Sequence, residues 1–342
     1  FLNSIFESIS GLTGTGFSIF SDIKYLDPTL ILWRSSSQWI GGLFFLFFLA
    51  IIFSNKSFNY KMTNLTYSGD NNFNSESNIK DNLLKIFIIY SILSIVILGL
   101  LNSSGIRLFN SLNLSMTLIS GGGFLPTESI SKIISTNFQK VILIFSLLVS
   151  LLNIYLLFNI FNKNTLIKEH REDLYLIILS IIFCSFIYFN NYNGLDIIIS
   201  VLSSLANSGL TLMESQNNLS LYFLLITIIG GSIFSNTSGI KLTRFYILLK
   251  ITSLEIIKLI SPNSIINKTI FGSDKKILDD HVKISFLIFI SFFLSLFILS
   301  SLLVVDNIGF EKSFKLSILT LTNTVNSEMF NMQNLNFINL LT

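Results

Sequence analysis

Between Lys283 and Asp306 the chain carries no charged side chain and is built almost wholly of Phe, Leu, Ile, Val and Ser. A helix needs about 20 apolar residues to cross the hydrocarbon core of a bilayer. Five further segments of the 342-residue chain have comparable character, giving six spans at 29–53, 83–101, 139–161, 174–190, 219–249 and 282–305. The fifth is interrupted by "GGSIFSNTSGIK". Charged residues are 12% of the chain, against about 25% in a soluble domain, too few to cover a water-facing surface. The expected class is an all-α polytopic membrane protein. A net charge of +3 is small, so its distribution carries more meaning than its sign, and nucleic acid is not an expected partner. A single cysteine, Cys184, excludes an intramolecular disulfide and a cysteine metal cluster.

Four shorter apolar stretches, 3–12, 107–119, 195–206 and 310–321, are too short to span and fit re-entrant helices. Each runs straight into a break rich in Gly, Thr, Ser or Asn: "TGTGF" at 13–17, "SGGGF" at 120–124, "NSGL" at 207–210 and "TNTVNSEM" at 322–329. Recurrence at a long period marks an internal repeat. Lysine and arginine then give the orientation. The loops 54–82, 162–173 and 241–281 hold most of the basic residues outside the spans, and the opposite loops hold only Lys24, Arg107, Lys132, Lys312 and Lys315. The positive-inside rule places the first set in the cytoplasm, which puts all four breaks on the outer side. No removable signal segment is expected at the start.

Irregular backbone survives at membrane depth only where protein or a water-filled cavity surrounds it. Four breaks converging on one axis can present rings of carbonyl oxygens that replace the hydration shell of a monovalent cation. Glycine lets the backbone turn those carbonyls inward without a Cβ clash. Thr15, Ser120, Ser208 and Thr324 add hydroxyl acceptors. Four short helices with their C-terminal dipole ends toward the axis also favour a cation.

"SIFESISGLTGTGFSIF" with the following "LILWRSSSQWIGGLFFLFFLAI", and "IGGSIFSNTSGIKLTRFYILLKITSLEIIKLISPNSI", resemble the first pore loop and the third inner helix of the Trk/Ktr/HKT potassium-transporter superfamily. The resemblance implies repeated M1–P–M2 pore units with four-fold pseudo-symmetry, usually in a homodimer within the lipid membrane. Read so, the chain divides into repeat 1 at 1–53, a cytoplasmic linker at 54–82 and repeat 2 at 83–161. A cytoplasmic loop at 162–173, repeat 3 at 174–260, a second cytoplasmic loop at 261–281 and repeat 4 at 282–342 follow. By the family template the first outer helix, before Ile5, and the last inner helix, after Thr342, are missing, as in a fragment. The filter glycines fall on Gly16, Gly123 and Gly209, with carbonyl donors at Gly14 and Thr15, Gly121 and Gly122, and Asn207 and Ser208. The fourth filter departs: Thr324, Val325 and Asn326 hold no glycine, and either Asn326 or, in another register, Val325 takes its place.

Residues 230–241 match the family's intramembrane gating loop. Gly230, Gly231, Ser232, Ser235, Thr237, Ser238 and Gly239 keep its flexible character, Phe234 and Asn236 replace smaller residues, and Lys241 ends the loop. Phe234 is expected to act as an apolar plug; the alternative is a plain kink. Arg34, inside a span, is expected to tie a short helix to its neighbour through Glu7. "KEHRED" at 168–173 reads as a solvated charge cluster able to touch a cytoplasmic partner. His170 and His281 have no ligand neighbours at metal spacing. No nucleophile set or nucleotide-binding loop appears, so no enzyme activity is expected. The resemblance implies potassium uptake across the cell membrane, with potassium as the only bound metal, no cofactor, and sodium or a proton as a coupling ion. It also implies a cytoplasmic ring of nucleotide-binding regulatory subunits. The competing readings are a sodium-selective or sodium-coupled relative and a non-conducting scaffold subunit.

Overall fold

The structure, a computed structural model, describes residues 2–20, 23–54, 79–159, 170–188, 193–212, 217–261, 268–270, 276–305 and 308–324. Val325 and Asn326, and most of the expected cytoplasmic loops at 54–82, 162–173 and 261–281, lie outside these residues. The helices run in order α1 Leu2–Leu12, α2 Pro28–Ser54, α3 Ile79–Ser103, α4 Leu108–Ser120, α5 Asn137–Leu151, α6 Ile154–Asn159, α7 Arg171–Tyr188, α8 Gly194–Leu205, α9 Asn217–Ile229, α10 Leu242–Ile260, α11 Asp279–Val305 and α12 Phe310–Leu321. By length and composition α2, α3 and α11 are each able to cross a membrane.

Their outward faces are apolar. Phe44 and Phe48 on α2, Ile92 and Ile95 on α3, and Leu287 and Phe297 on α11 are all exposed. The interior, by contrast, holds many serines, among them Ser146, Ser200, Ser285 and Ser317, each fully buried. A helix that is apolar all round suits lipid, not water. The buried hydroxyls are satisfied by carbonyls of their own helix: Ser146 donates to Leu143 at 2.8 Å, Ser200 to Asp196 at 2.9 Å and Ser285 to His281 at 2.7 Å.

The packing repeats. Each short helix leans on a longer helix of its own unit, and α4, α8 and α12 also lean on the inner helix of the unit before. α4 packs on α3 and α5 and also on α2; α8 packs on α7 and α9 and also on α5; α12 packs on α11 and also on α9; α1 packs on α2. This arrangement brings the C-terminal ends of α1, α4, α8 and α12 around one axis.

The expected span 139–161 is not continuous. α5 ends at Leu151, Leu152 is extended, and α6 begins at Ile154. The freed backbone groups are taken by other segments: the Leu151 carbonyl accepts from Ser232 N at 3.2 Å, and Asn153 N donates to Asp173 Oδ1 at 3.0 Å. The span 219–249 is broken as its composition suggests, with α9 and α10 separated by residues 230–241.

Candidate functional site

All four short helices stop in the same way. Each is followed by a residue in the left-handed region: Gly14 (φ 72°), Gly121 (φ 69°), Asn207 (φ 57°) and Asn323 (φ 48°). Glycine adopts this conformation freely and asparagine is the side chain that best tolerates it. The next amides fold back on the helix end in the pattern that closes many helices. Gly121 N bonds Leu118 O at 3.2 Å and Gly122 N bonds Thr117 O at 2.9 Å. Asn207 N and Ser208 N repeat this with Ser204 O and Ser203 O at 3.3 and 3.0 Å, and Asn323 N and Thr324 N with Thr320 O and Leu319 O at 3.2 and 2.9 Å. In the first break Gly14 N bonds Gly11 O at 3.0 Å, and the second bond comes from Gly16, to Ser10 O at 3.3 Å.

This common geometry sets the register. Gly14, Gly121, Asn207 and Asn323 are equivalent; then come Thr15, Gly122, Ser208 and Thr324; then Gly16, Gly123, Gly209 and position 325. Counting on from Asn323 puts position 325 level with Gly16, Gly123 and Gly209 in this numbering; Val325 and Asn326 themselves lie outside the described residues. Asn323 is the residue that sequence reasoning missed. Its signal was an asparagine two residues past the end of an apolar helix, at the position that Gly14 and Gly121 occupy in the first two breaks.

The equivalent residues face one space. A cavity of about 270 Å³ is lined by Gly14, Gly121, Asn207 and Asn323, by Gly41 and Gly42 of α2, and by Asn236 and Ser238 of the intramembrane loop. The hydroxyls expected to serve as acceptors are engaged within the protein. Thr15 donates to Asn323 Oδ1 at 3.2 Å, Ser120 to the Met116 and Thr117 carbonyls at 3.0 Å, Ser208 lies 3.0 Å from Ser203 Oγ, and Thr324 accepts from Asn207 Nδ2 at 3.1 Å.

Side chains brace the breaks from behind. Glu7 and Arg34 form a buried ion pair, Nε to Oε1 at 2.6 Å, as the sequence admits. The same carboxylate accepts from Ser18 Oγ at 3.0 Å and Ile19 N at 3.2 Å, just past the first break. The Arg34 guanidinium lies 4.1 Å from the Phe124 ring centre, just past the second. One helical turn on, Gln38 Oε1 accepts from Phe124 N at 3.3 Å, and a Cβ at Gly122 would come within 2.3 Å of that oxygen. Asn207 Nδ2 also reaches Thr227 O at 3.0 Å, and Asn323 Nδ2 reaches Thr13 O at 3.3 Å.

Residues 230–241 form a closed loop. Ile240 N and Lys241 N bond back to Ile228 O and Ile229 O at 2.9 and 3.0 Å. The neck admits only glycine on either side: at Gly230 (φ 68°) a Cβ would sit 2.0 Å from Ser238 O, and at Gly239 (φ 82°) one would sit 2.8 Å from Ile228 O. Within the loop Thr237 Oγ1 accepts from Gly231 N at 2.9 Å and lies 2.7 Å from Ser235 Oγ. Buried Lys241 donates to Thr237 Oγ1 at 2.8 Å. Asn236 Nδ2 donates to Ile119 O at 2.8 Å, fixing the loop to the end of α4. Phe234 does not match the expected plug: it is buried against Tyr155, edge to face at 5.3 Å, and is not among the residues lining the cavity. Its carbonyl accepts from Ile154 N at 3.0 Å, so it fills the gap between α5 and α6. Asn236 and Ser238 are the loop residues that face the cavity.

The charge cluster at 168–173 also departs from expectation. Lys168 and Glu169 lie outside the described residues, but His170, Glu172 and Asp173 are buried at 3%, 1% and 1% exposure. Their charge is accommodated because the carboxylates cap and bond buried groups: Asp173 serves Asn153 N, while Glu172 accepts from Thr243 Oγ1 at 2.5 Å and Ile233 N at 3.3 Å. A carboxylate in the first turn of a helix is also favoured by its dipole.

No protein-family model matches the chain. Individual proteins do. The chain is 26% identical over 271 residues to an uncharacterized cation transporter of Methanocaldococcus jannaschii, covering 77% of this chain and 56% of that protein. It is 26% identical over 337 residues to the Trk system potassium uptake protein TrkG of Escherichia coli, covering 91% of this chain and 67% of that one. The match to the Trk system potassium uptake protein TrkH of Escherichia coli is 24% over 290 residues, with 77% and 58% covered. The chain thus spans little more than half the length of two of these relatives and two thirds of the third. Among solved structures, the crystal structure of the potassium transporter TrkH from Vibrio parahaemolyticus superposes over 99% of this chain and 74% of its own, with a TM-score of 0.87 at 18% identity.

Repeated short helices that end in matched breaks around one cavity, inside a shell of lipid-facing helices, define a multi-pass all-α membrane protein of the TrkH fold. Sequence and fold point the same way: the chain is similar to Trk-system potassium uptake proteins and a cation transporter, and it shares the TrkH fold.

Proposed function

We propose that the protein conducts potassium across the cell membrane through the axis on which the four breaks converge. The observation that carries this reading is the shared left-handed residue at the end of each short helix, with all four lining one cavity. The backbone carbonyls of Gly14 to Gly16, Gly121 to Gly123, Asn207 to Gly209 and Asn323 to Val325 are then the ion ligands, since the neighbouring hydroxyls are already engaged. Position 325, a valine where the other breaks have glycine, supports weaker discrimination of potassium from sodium. The loop at 230–241 is the gate: Asn236 and Ser238 reach the cavity that an ion leaving the breaks would enter. The breaks face outward and the basic loops face the cytoplasm, by the distribution of lysine and arginine. A homodimer, and a cytoplasmic ring of nucleotide-binding regulatory subunits acting on the loop, complete the proposal.

The test is rescue of potassium-uptake-deficient cells by the full-length protein at low external potassium, with sodium varied. Growth that tracks potassium and is lost with Gly16→Asp supports conduction through the breaks. A Gly16→Asp protein that reaches the membrane and still rescues would overturn it.

A further inference from the structure

The buried carboxylate of Glu172 is not explained by the ion path, which it does not line. It stands in the first turn of α7, the helix that opens the third repeat, yet its oxygens reach the intramembrane loop and the helix turn that follows it. Oε2 accepts from Ile233 N at 3.3 Å, inside the loop, and Oε1 accepts from Thr243 Oγ1 at 2.5 Å, two residues past the loop's end. Next to it, Asp173 Oδ1 takes Asn153 N at 3.0 Å, in the gap between α5 and α6 that receives the loop. The loop's own contacts to that gap are Ser232 N to Leu151 O at 3.2 Å and Ile154 N to Phe234 O at 3.0 Å. Lys241, buried at the loop's end, holds Ser235 and Thr237.

We propose that Glu172 is a positioning residue that clamps the intramembrane loop in the obstructing conformation by binding it on both sides at once. The proposal rests on the reading of this loop as the gate. The physical case is the cost of the arrangement. A carboxylate at 1% exposure is kept in place only if its hydrogen bonds are worth its desolvation. A spectator side chain at this position would be more stable if apolar. Two hydrogen bonds converge on this one carboxyl group from either side of the cavity-facing residues, beyond the contacts the loop makes within itself. Ile233 lies before those residues, and Thr243 lies after them. Loss of either loosens the loop on one side, leaving the contacts of Ser232, Phe234 and Asn236 to hold it.

Two measurements on the full-length protein test this, in a Cys184→Ala background. The first is the rate at which Ser238→Cys reacts with a small cationic methanethiosulfonate reagent. The second is cation flux into liposomes. Glu172→Ala and, as the gentler change, Thr243→Val should each speed the thiol reaction, by about tenfold for the loss of one bond. Thr243→Ser, which keeps the hydroxyl, should behave as the parent. Flux should rise in the same variants and on deletion of 232–238, and Glu172→Ala should add nothing to the deletion, since two changes acting through one element do not add. An unchanged rate of thiol modification at position 238 in both Glu172→Ala and Thr243→Val overturns the proposal. So does a flux increase of equal factor with and without the loop. If reactivity rises but neither the variants nor the deletion changes flux, the clamp stands and the gating reading fails.

Discussion

Gly41 stands where α2 passes the last turn of α1, and a single methyl group there has a calculable effect. The added Cβ would lie 2.0 Å from the Leu12 carbonyl oxygen, 2.8 Å from its carbonyl carbon and 3.0 Å from its Cα. Ordinary contact begins at 3.4 Å, so the two backbones must part by 1.4 Å (3.4 − 2.0). All three atoms are main chain, so no rotamer change relieves the clash. Overpacking of this kind costs about 1–3 kcal/mol, against the roughly 0.5–1 kcal/mol that alanine gains over glycine inside a helix. The net loss is therefore modest and the protein should still assemble. The displacement matters more than the energy. Thr13 and Gly14 follow Leu12 directly, so an ångström-scale shift reaches the first break while the other three stay in place. A carbonyl ring that selects ions by its ligands cannot absorb that. Gly41→Ala should lower potassium flux into liposomes and drive the potassium-to-sodium ratio toward unity, with a small drop in thermal stability. Gly99→Ala is the control: nothing lies within 4 Å of its Cβ, on an exposed face of α3, and flux and ratio should hold. A Gly41→Ala protein with parental selectivity and stability refutes the seating of α1 on α2 and its link to the ion path.

Asn323→Gly keeps the left-handed backbone but removes the bonds to Thr13 O and Thr15 Oγ1, each worth about 0.5–1.5 kcal/mol net; expression should persist while selectivity falls, read as the potassium, rubidium and sodium flux ratios. Gly209→Ser places a side chain at φ 67°, a strain of about 1–2 kcal/mol, and should weaken potassium preference with folding retained; unchanged ratios would remove this break from the ion path. For orientation, Asn217→Cys in a Cys184→Ala background should react with an impermeant thiol reagent from outside, and Asn71→Cys only from the cytoplasmic side. The reverse pattern would overturn the charge-based topology.

The long apolar runs and the four short helices were legible because lipid leaves so few alternatives for the backbone. The ends of α2, α3 and α11 fall close to where hydropathy placed them. What the sequence concealed were the places where backbone bonds are exchanged between distant segments. Nothing in "SLLNIYLL" marks a break at Leu152, since it contains no glycine or proline; the break exists because the loop and Asp173 supply partners for the freed groups. "KEHRED" looked solvated because charge usually is, and its burial depends on Ile233 and Thr243, 61 and 71 residues away from Glu172. Phe234 looked like a plug because it is large, but the nearest apolar space is the gap beside Tyr155. The fourth break hid its anchor because the residue that takes the left-handed turn there is Asn323, where the first two breaks use glycine.

That last substitution explains how a symmetric site arises from an unsymmetric chain. Where the left-handed residue is asparagine, its own side chain reaches the next break. Asn207 bonds Thr324, across the seam between the third and fourth, and Asn323 bonds Thr13, across the seam between the fourth and first. Where that residue is glycine, the brace comes from elsewhere. Arg34 and Gln38, one turn apart on α2, hold the backbone after the first and second breaks together through Glu7 and Phe124. At the remaining seam the backbones themselves close in, with a Cβ at Gly121 only 3.4 Å from Ala206 O and 3.5 Å from Asn236 O. A single chain has no reason to solve the same problem four times alike. Each seam needs only enough bonds to fix its carbonyls, and the second break draws part of that support from the loop, through Asn236 and Ile119. The loop is thus a structural neighbour of the second break, and on the gating proposal its motion is expected to disturb that break first.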